Sequence, residues 1–409
     1  MIQTAKYRQV FAHRAFRSFW LGFTVSTLGD AMTRVALTWF VYELTGSPEA
    51  LGLLAFTYTG PIIIGGFIAG PLLDRFDRRK VMLADSLFRG LVVLLIPLLH
   101  ATGTLSLWHI YVVSSIYGLL MMISLAGGPS LVPDLIDKGN LDTANALETI
   151  SFTLSGVIGP PVAGLLIPLI SAPNVVLLDA ITYFAFALAL WRMQPPARPE
   201  ATAVDAQESY RFRDALSLLL KNRVLLSTTL MFMGVNLGFS AILVWLPVLS
   251  DQALGGGAEL YGLLLGGLAV GEVISSVLAG TLELPLTLGK GIALAQLLAG
   301  LALGLMLISL TTPVVLLSLV LFGFVSAPLT IWAQTLRMQI IPERLRGRTF
   351  ALLRTLMQSG NPVGGAVGGL LLPLLSMPVM IALSAAVVGI PGLIGLQVRD
   401  LREADGHGI

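Results

Sequence analysis

Three ionisable residues lie inside long apolar segments and could carry protons or bind a cation. Asp30 and Arg34 stand four residues apart in the first segment, and Glu272 lies in a later one with no cation on its own helix. Ionisable groups at this depth of a bilayer are expensive and mark functional sites. We expect Asp30 to bind protons or a cationic substrate and Glu272 to be a second proton carrier. The alternatives are an internal Asp30–Arg34 ion pair and a partner for Glu272 on another span.

A polar stripe follows one face of the first segment. At three- and four-residue spacing it contains Ser26, Thr27, Asp30, Thr33, Arg34 and Thr38. A polar face in the middle of an apolar helix predicts that the face lines a cavity rather than lipid. The same reasoning selects further candidate cavity residues in the second half of the chain, namely Asn236, Trp332, Gln334, Gln358 and Asn361.

No enzyme signature accompanies these residues. The chain has no cysteine, and its four histidines lie near or beyond the ends of the apolar segments. We find no Gly-x-Ser-x-Gly, no His-Glu-x-x-His and no nucleotide-binding Gly-x4-Gly-Lys-Ser/Thr. The sequence therefore disfavours an enzyme, and we expect neither a metal nor a cofactor.

The densest charge cluster is a hairpin between two long apolar segments. Residues 70–80 read Gly-Pro-Leu-Leu-Asp-Arg-Phe-Asp-Arg-Arg-Lys. A cluster of this kind must lie at a membrane surface. Composition agrees, because 55% of the 409 residues are hydrophobic and only 12% are charged, about half the charged fraction of a soluble protein.

Apolar periodicity and turn residues predict an all-α membrane protein with twelve spans. The spans cover residues 17–44, 50–73, 81–101, 108–133, 143–170, 174–193, 223–250, 259–282, 290–311, 313–338, 349–373 and 378–398. Of the 25 Lys and Arg residues, only Arg34, Arg89 and Arg354 fall in the interior of spans, and the others lie at span ends or in connections on one side. Because cations accumulate on the cytoplasmic side, we expect both termini on that side of the membrane.

The two halves of the chain resemble each other. A shift of 205 positions lays 146–173 on 351–378, with matching glycines and prolines. Parallel repeats of six spans are typical of transporters that bind substrate between their halves. We therefore predict two pseudo-symmetric six-helix bundles, residues 1–193 and 223–409, joined by a cytoplasmic linker over 194–222. Residues 210–223 of the linker are expected to form an amphipathic helix on the inner leaflet, with a plain solvated connector as the alternative.

The hairpin resembles the signature loop of the major facilitator superfamily, Gly-x-x-x-Asp-Arg-x-Gly-Arg-Arg/Lys. Asp77 stands at the second glycine of that pattern. With Asp85 and Arg89 following, the chain is similar to the drug/proton antiporter branch that holds macrolide-efflux and enterobactin-export proteins. The resemblance implies the major facilitator fold and an inner gate made by Gly70, Asp74, Arg75, Arg78, Arg79, Asp85 and Arg89.

Span five carries a weaker motif of the exporters in this superfamily. Ser155, Gly159, Pro160 and Gly164 stand at four of its positions, and small residues there let helices approach closely. Span four has Ser114 where the superfamily often has arginine. The resemblance implies a proton-coupled exporter of small lipophilic, including cationic, compounds, with a uniporter or uptake symporter as the alternative. We expect substrate, protons and lipid as partners, no nucleic acid, and a monomer.

Overall fold

The computed structural model of the protein describes residues 4–193, 212–279, 286–342 and 345–405. Throughout these residues the regular structure is helical, with no strand. Short 3-10 segments occupy Lys138–Asn140 and Leu305–Leu307, and a π-helical turn occupies Leu249–Ala253. The α-helices are α1 Thr4–Ala12, α2 Arg14–Thr45, α3 Pro48–Arg75, α4 Arg78–Ala101, α5 Leu107–Leu135, α6 Leu141–Ile170, α7 Ala172–Arg192, α8 Phe212–Lys221, α9 Arg223–Val248, α10 Gly257–Ala279, α11 Leu288–Gly304, α12 Thr312–Ile340, α13 Arg346–Gln358, α14 Gly360–Leu371, α15 Met377–Gly395 and α16 Arg399–Arg402.

Ten stretches within the described residues are long and apolar enough to cross a membrane. They correspond to α3 to α7, α9 to α12 and α15. The prediction of an all-α membrane protein is therefore confirmed. The two other predicted spans correspond to α2, whose polar stripe lowers its hydropathy, and to the pair α13 and α14. The number twelve stays a prediction.

The predicted eleventh span is interrupted at one residue, Ser359, between α13 and α14, which contain 13 and 12 residues. Ser359 keeps helical backbone angles (φ −62°, ψ −19°) and donates its N–H to the carbonyl oxygen of Thr355 at 3.0 Å, so the irregularity is local. Pro362 has no N–H with which to continue the ladder, and its ring crowds the preceding turn. Gly360 lowers the helix propensity at the same point.

By their internal packing the residues form two compact units, Met1–Thr45 with Thr57–Val204 and Gly46–Phe56 with Asp205–Ile409. In the first unit α2 packs against α6 and α7, and α4 packs against α5 and α7. Its core includes an aromatic cluster of Phe16, Phe19, Phe23 and Phe186. In the second unit α10 and α11 pack against α12, while α15 packs against α9 and α11.

Glycines set the closest helix crossing in the first unit. A methyl group added to Gly118 of α5 would lie 2.0 Å from the carbonyl oxygen of Tyr58 on α3. One added to Gly65 of α3 would lie 2.0 Å from the carbonyl oxygen of Leu119. The backbones of α3 and α5 are therefore in direct contact, which only glycine permits.

The second unit contains the same kind of crossing. A methyl group on Gly323 of α12 would lie 2.0 Å from the carbonyl oxygen of Leu268 on α10, and one on Gly271 of α10 would lie 2.0 Å from that of Val320. Helices α12, α13 and α15 each begin 205 residues after α5, α6 and α7 respectively. This interval equals the shift that aligns the two halves of the sequence.

The predicted linker is described only from residue 212 onward, and 194–211 lie outside the described residues. The α8 helix is present, and its Ala215 and Leu219 are buried in a cluster with Leu225 and Leu353. Part of the apolar face of α8 is thus covered by protein, whereas Leu220 is exposed. The position of α8 on the inner leaflet stays a prediction.

Candidate functional site

Asp30 is held by two tyrosines from other helices of the first unit. Its Oδ1 accepts a hydrogen bond of 2.5 Å from the hydroxyl of Tyr117 on α5. It accepts a second from the hydroxyl of Tyr183 on α7. Both tyrosines are almost fully buried, while Asp30 itself is half-buried. The carboxyl group is therefore fixed in position on α2 and remains partly accessible.

A buried ion pair continues this network. Arg89 Nη1 donates to the Tyr183 hydroxyl at 3.0 Å. Its Nη2 and Nε donate to Asp85 Oδ2 at 2.5 and 3.1 Å, and Nη2 also donates to Ser124. The guanidinium lies over the Tyr183 ring, 4.8 Å from its centroid. One connected network therefore runs from Asp30 on α2 to Asp85 on α4.

The internal Asp30–Arg34 ion pair does not form. Among the ion pairs of the described residues none joins these two side chains, and Arg34 is exposed. Asp30 instead accepts hydrogen bonds from the hydroxyl groups of Tyr117 and Tyr183. The buried cation of this unit is Arg89, which is only 1% exposed. Span four, which has Ser114 at the usual arginine position, contributes Tyr117 instead.

The polar stripe of α2 is partly covered by α6. Thr24 and Thr27 share hydrogen bonds with Ser151 and Ser155 at 2.7 and 2.9 Å. Ser26, Thr27 and Thr33 are all buried, so these members of the stripe pack inside the unit and do not line a cavity. Only the part of the stripe at Asp30, Arg34 and Thr38 remains accessible.

Two further carboxyl groups of the first unit are buried. Asp179 on α7 is 1% exposed, and Thr182 donates to its Oδ1 at 3.1 Å. A methyl group on Gly29 would lie 2.2 Å from this oxygen, so Gly29 makes room for Asp179. Glu148 on α6 is 4% exposed and was missed altogether. Its position eight residues into a spanning helix was a signal that sequence reasoning could have used.

The small residues of span five serve close packing against α2. A methyl group on Gly159 would lie 2.6 Å from Cβ of Ala31 and 3.5 Å from the carbonyl oxygen of Leu28. Pro160 and Gly164 are also buried. Ser155 adds the hydrogen bond to Thr27. This part of α6 therefore fixes the helix that carries Asp30.

The hairpin between α3 and α4 has a definite local structure. Asp77 is the N-cap of α4 and accepts from the backbone N–H of Lys80 at 3.0 Å. Arg78 Nη1 lies 3.6 Å from Asp134 Oδ2 and donates to the carbonyl oxygen of Ser130 at 2.6 Å. An aspartate in place of the usual glycine therefore supplies a helix cap.

The remaining gate residues divide between anchored and exposed ones. Arg79 donates to the carbonyl oxygens of Leu190 and Trp191, both at 2.5 Å, at the C-terminal end of α7. Cations are favoured at this end of a helix. Asp74 and Arg75 are exposed, and a side chain at Gly70 would meet no atom within 4 Å.

In the second unit three predicted site residues surround the break between α13 and α14. Asn236 Nδ2 donates to the carbonyl oxygen of Met357 at 2.9 Å. Asn361 Nδ2 donates to Gln358 Oε1 at 2.9 Å. All three side chains are half-buried. The amide of Asn236 thus joins α9 to the last turn of α13, and the pair Gln358–Asn361 spans the break.

The three other predicted residues of this unit lie elsewhere. Trp332 packs on Gly291 and, with residues of α10, α11 and α12, lines an apolar cavity of about 240 Å³. Gln334 and Glu272 are exposed. The hydroxyl groups of Ser275 and Ser276 donate to the backbone carbonyl of Glu272 at 3.1 and 2.7 Å.

Long apolar helices that enclose charged and tyrosine networks are typical of membrane transport proteins. The fold agrees with a solved transporter structure, that of a point mutant of the nucleoside transporter NupG. The TM-score is 0.77 at 10% sequence identity, over 94% of this chain and 99% of that one. The chain therefore has the fold of this transporter structure.

The chain belongs to the transmembrane secretion effector family of the major facilitator superfamily, whose family model matches residues 8–407. It is 25% identical over 401 residues to the uncharacterized MFS-type transporter YfiS of Bacillus subtilis, covering 93% of this chain and 92% of that one. It is 28% identical over 367 residues to the enterobactin exporter EntS of Shigella boydii, covering 88% and 85%.

A further relative is the staphyloferrin A transporter of Staphylococcus aureus. It is 24% identical over 256 residues, which cover 61% of this chain and 63% of that one. The resemblance to the major facilitator superfamily and to its enterobactin-exporting members is confirmed. The protein is an integral membrane transporter and not an enzyme.

Proposed function

We propose that the protein is a secondary active exporter that exchanges a small molecule for protons by alternating access. Two pseudo-symmetric six-helix bundles, residues 1–193 and 223–409, enclose one binding site that opens to one side of the membrane at a time. The matched 205-residue spacing of helix starts and the glycine crossing within each unit support the repeat.

The observation that carries the proposal is the network around Asp30. Its carboxyl group is half-buried and accepts hydrogen bonds from two buried tyrosines. A carboxyl held in this way by fixed donors, yet accessible in part, can release and regain a proton as its surroundings change. Proton and cationic substrate would then compete for the same group.

A small number of protons can supply the free energy that export of the substrate needs. Hundredfold accumulation of substrate costs about 2.8 kcal/mol, at about 1.4 kcal/mol for each factor of ten. One proton moving down a potential of 100 mV supplies about 2.3 kcal/mol. One or two protons per cycle are therefore sufficient.

The hairpin of residues 70–80 is proposed as the inner gate. The Arg78–Asp134 pair and the Arg79 contacts with the end of α7 hold its C-terminal part within the first unit. The exposed Asp74 is left to meet the N-terminal end of a helix of the other bundle, where free N–H groups favour an anion. Such a contact made only in the inward-closed state biases the equilibrium between states.

For the substrate we propose two chemical classes, of which the first is preferred. Small lipophilic compounds, including cations, suit a site with one accessible carboxyl group. Siderophores are the second class, because two relatives are an enterobactin exporter and a staphyloferrin A transporter. We propose that the protein acts as a monomer in a prokaryotic cytoplasmic membrane, with lipid around it and both termini in the cytoplasm.

Uptake into inside-out membrane vesicles tests the proposal. Vesicles containing the protein are energised and offered a panel of lipophilic cations, neutral lipophilic drugs and siderophores. At least one compound should accumulate, and a protonophore should abolish the accumulation. Vesicles without the protein are the control. Protein-dependent equilibration that a protonophore leaves unchanged would indicate a uniporter and contradict proton exchange.

A further inference from the structure

Glu148 is a buried carboxyl group that the network around Asp30 does not include. It lies on α6 and is 4% exposed, and its Oε1 is enclosed without a hydrogen-bond partner. No Lys, Arg or His of the described residues makes an ion pair with it. A charge that is buried without a partner is costly. A carboxyl group in such a place therefore gains a proton more readily than it stays charged.

The carboxyl group of Glu148 is surrounded by residues of α2 and α5. A methyl group on Gly128 of α5 would lie 2.2 Å from Glu148 Oε1 and 3.4 Å from the ring of Phe23 on α2. Only glycine at 128 leaves room for the carboxyl oxygen. The nearby indole N–H of Trp20 is used by the carbonyl oxygen of Leu147, at 2.8 Å. The contacts described around Glu148 on α2 and α5 are thus with uncharged groups.

Hydroxyl groups lead from Glu148 toward Asp30. Ser151 and Ser155 follow Glu148 at helical spacing on α6, and their hydroxyl groups meet those of Thr24 and Thr27 on α2 at 2.7 and 2.9 Å. Asp30 then follows Thr27 one turn farther along α2. Successive steps along each helix are three or four residues, a rise of about 4.5–6 Å, which one bridging water molecule can span.

We propose that Glu148 is a second proton-binding group, which exchanges protons between water and Asp30 along these hydroxyl groups. The inference rests on the proton exchange of the proposed function. A proton enters from water onto the Glu148 carboxylate. It is then passed on, each hydroxyl group accepting one proton and donating another, until the Asp30 carboxylate is protonated. One proton moves in total, and no other bond changes.

The test compares two reactions of reconstituted protein carrying Glu148→Gln. Exchange of labelled for unlabelled substrate moves no net proton, whereas accumulation driven by an imposed pH gradient does. We expect exchange at the wild-type rate and gradient-driven accumulation slowed by about a hundredfold, the usual effect of removing a positioned proton-transfer group. Glu43→Gln, an exposed glutamate on α2 of the same unit, is the matched control and should behave as wild type.

A second variant distinguishes a loss of proton transfer from a folding defect. Ser151→Ala keeps Glu148 and removes one hydroxyl group, and it too should slow accumulation while preserving exchange. Wild-type accumulation in both Glu148→Gln and Ser151→Ala would overturn the role of Glu148. Loss of exchange and accumulation together in both variants would assign these residues to structure and overturn it as well. Absence of gradient-driven accumulation in the wild type would instead remove the proposed function itself.

Discussion

At the scale of residues, the site depends on which partners surround Asp30. The sequence identifies Asp30, Asp85 and Arg89, because ionisable residues in apolar segments are conspicuous. It does not identify Tyr117 and Tyr183, which are 87 and 153 positions away from Asp30. Tyrosines are common in membrane helices, and only the tertiary packing of α5 and α7 on α2 reveals these two as ligands of the carboxyl group.

The buried ion pair of α4 gives a prediction about stability. Replacing Arg89 with methionine leaves Asp85 buried without its cation. Breaking a buried pair in this way costs about 3–5 kcal/mol, so the Arg89→Met protein should unfold at a markedly lower denaturant concentration or temperature in detergent. Arg192→Met, the same change at an exposed arginine of α7, should change stability by less than about 0.5 kcal/mol.

Equal unfolding of the Arg89→Met and Arg192→Met proteins would show that the pair is not important for stability. Adding Asp85→Asn to Arg89→Met should recover part of the loss, because the buried charge is then removed.

At the scale of helices, the sequence predicts most of the structure. The predicted spans overlap the observed helices, since long apolar stretches bounded by turn residues have few alternatives. At 349–373 one span was predicted, and the structure has α13 and α14, interrupted only at Ser359, so this span stays a prediction. Pro362 is the residue that could have indicated the break. Asn236, selected for its polarity, bonds to the backbone beside that break.

The glycine crossing between α3 and α5 gives a prediction for this scale. A Gly118→Ala methyl group would lie 2.0 Å from a backbone oxygen, which cannot move without displacing a helix. We expect a loss of about 1–3 kcal/mol, the usual cost of overpacking, measured as a lower melting temperature in detergent. Gly156→Ala on α6 meets no atom within 4 Å and is the matched control.

Because alanine favours a helix by up to about 1 kcal/mol over glycine, the Gly156→Ala protein should be as stable as wild type or slightly more so. If the Gly118→Ala and Gly156→Ala proteins have the same melting temperature, helices α3 and α5 are not held at the distance described here.

At the scale of the whole molecule, the repeat is readable from the sequence, since 205 positions separate both the matching residues and the starts of three helix pairs. The motion between inward-open and inward-closed states cannot be derived from the sequence, because it depends on contacts that exist in only one state. Asp74 is the residue for which such a contact is proposed. Its exposure within its own unit leaves it able to make one.

Replacing Asp74 with asparagine should shift the protein toward inward-open states. Loss of an anion at a helix N-terminus is worth about 1 kcal/mol, or roughly a fivefold change in population. A single cysteine at exposed Gln334, in this cysteine-free chain, reports the shift as faster labelling by a water-soluble maleimide. The control is Asp137→Asn, at an acid whose side chain is 82% exposed. Equal labelling rates in both variants would remove Asp74 from the gate.

Substrate-dependent proton movement in proteoliposomes tests the central claim most directly. A substrate gradient is imposed without a membrane potential, and the internal pH is recorded for the wild type and for Asp30→Asn, which keeps the shape of the side chain. We predict that substrate moving one way drives protons the other way in the wild type. The Asp30→Asn protein should insert and fold normally but move no protons. Proton movement at the wild-type rate in Asp30→Asn would contradict the account.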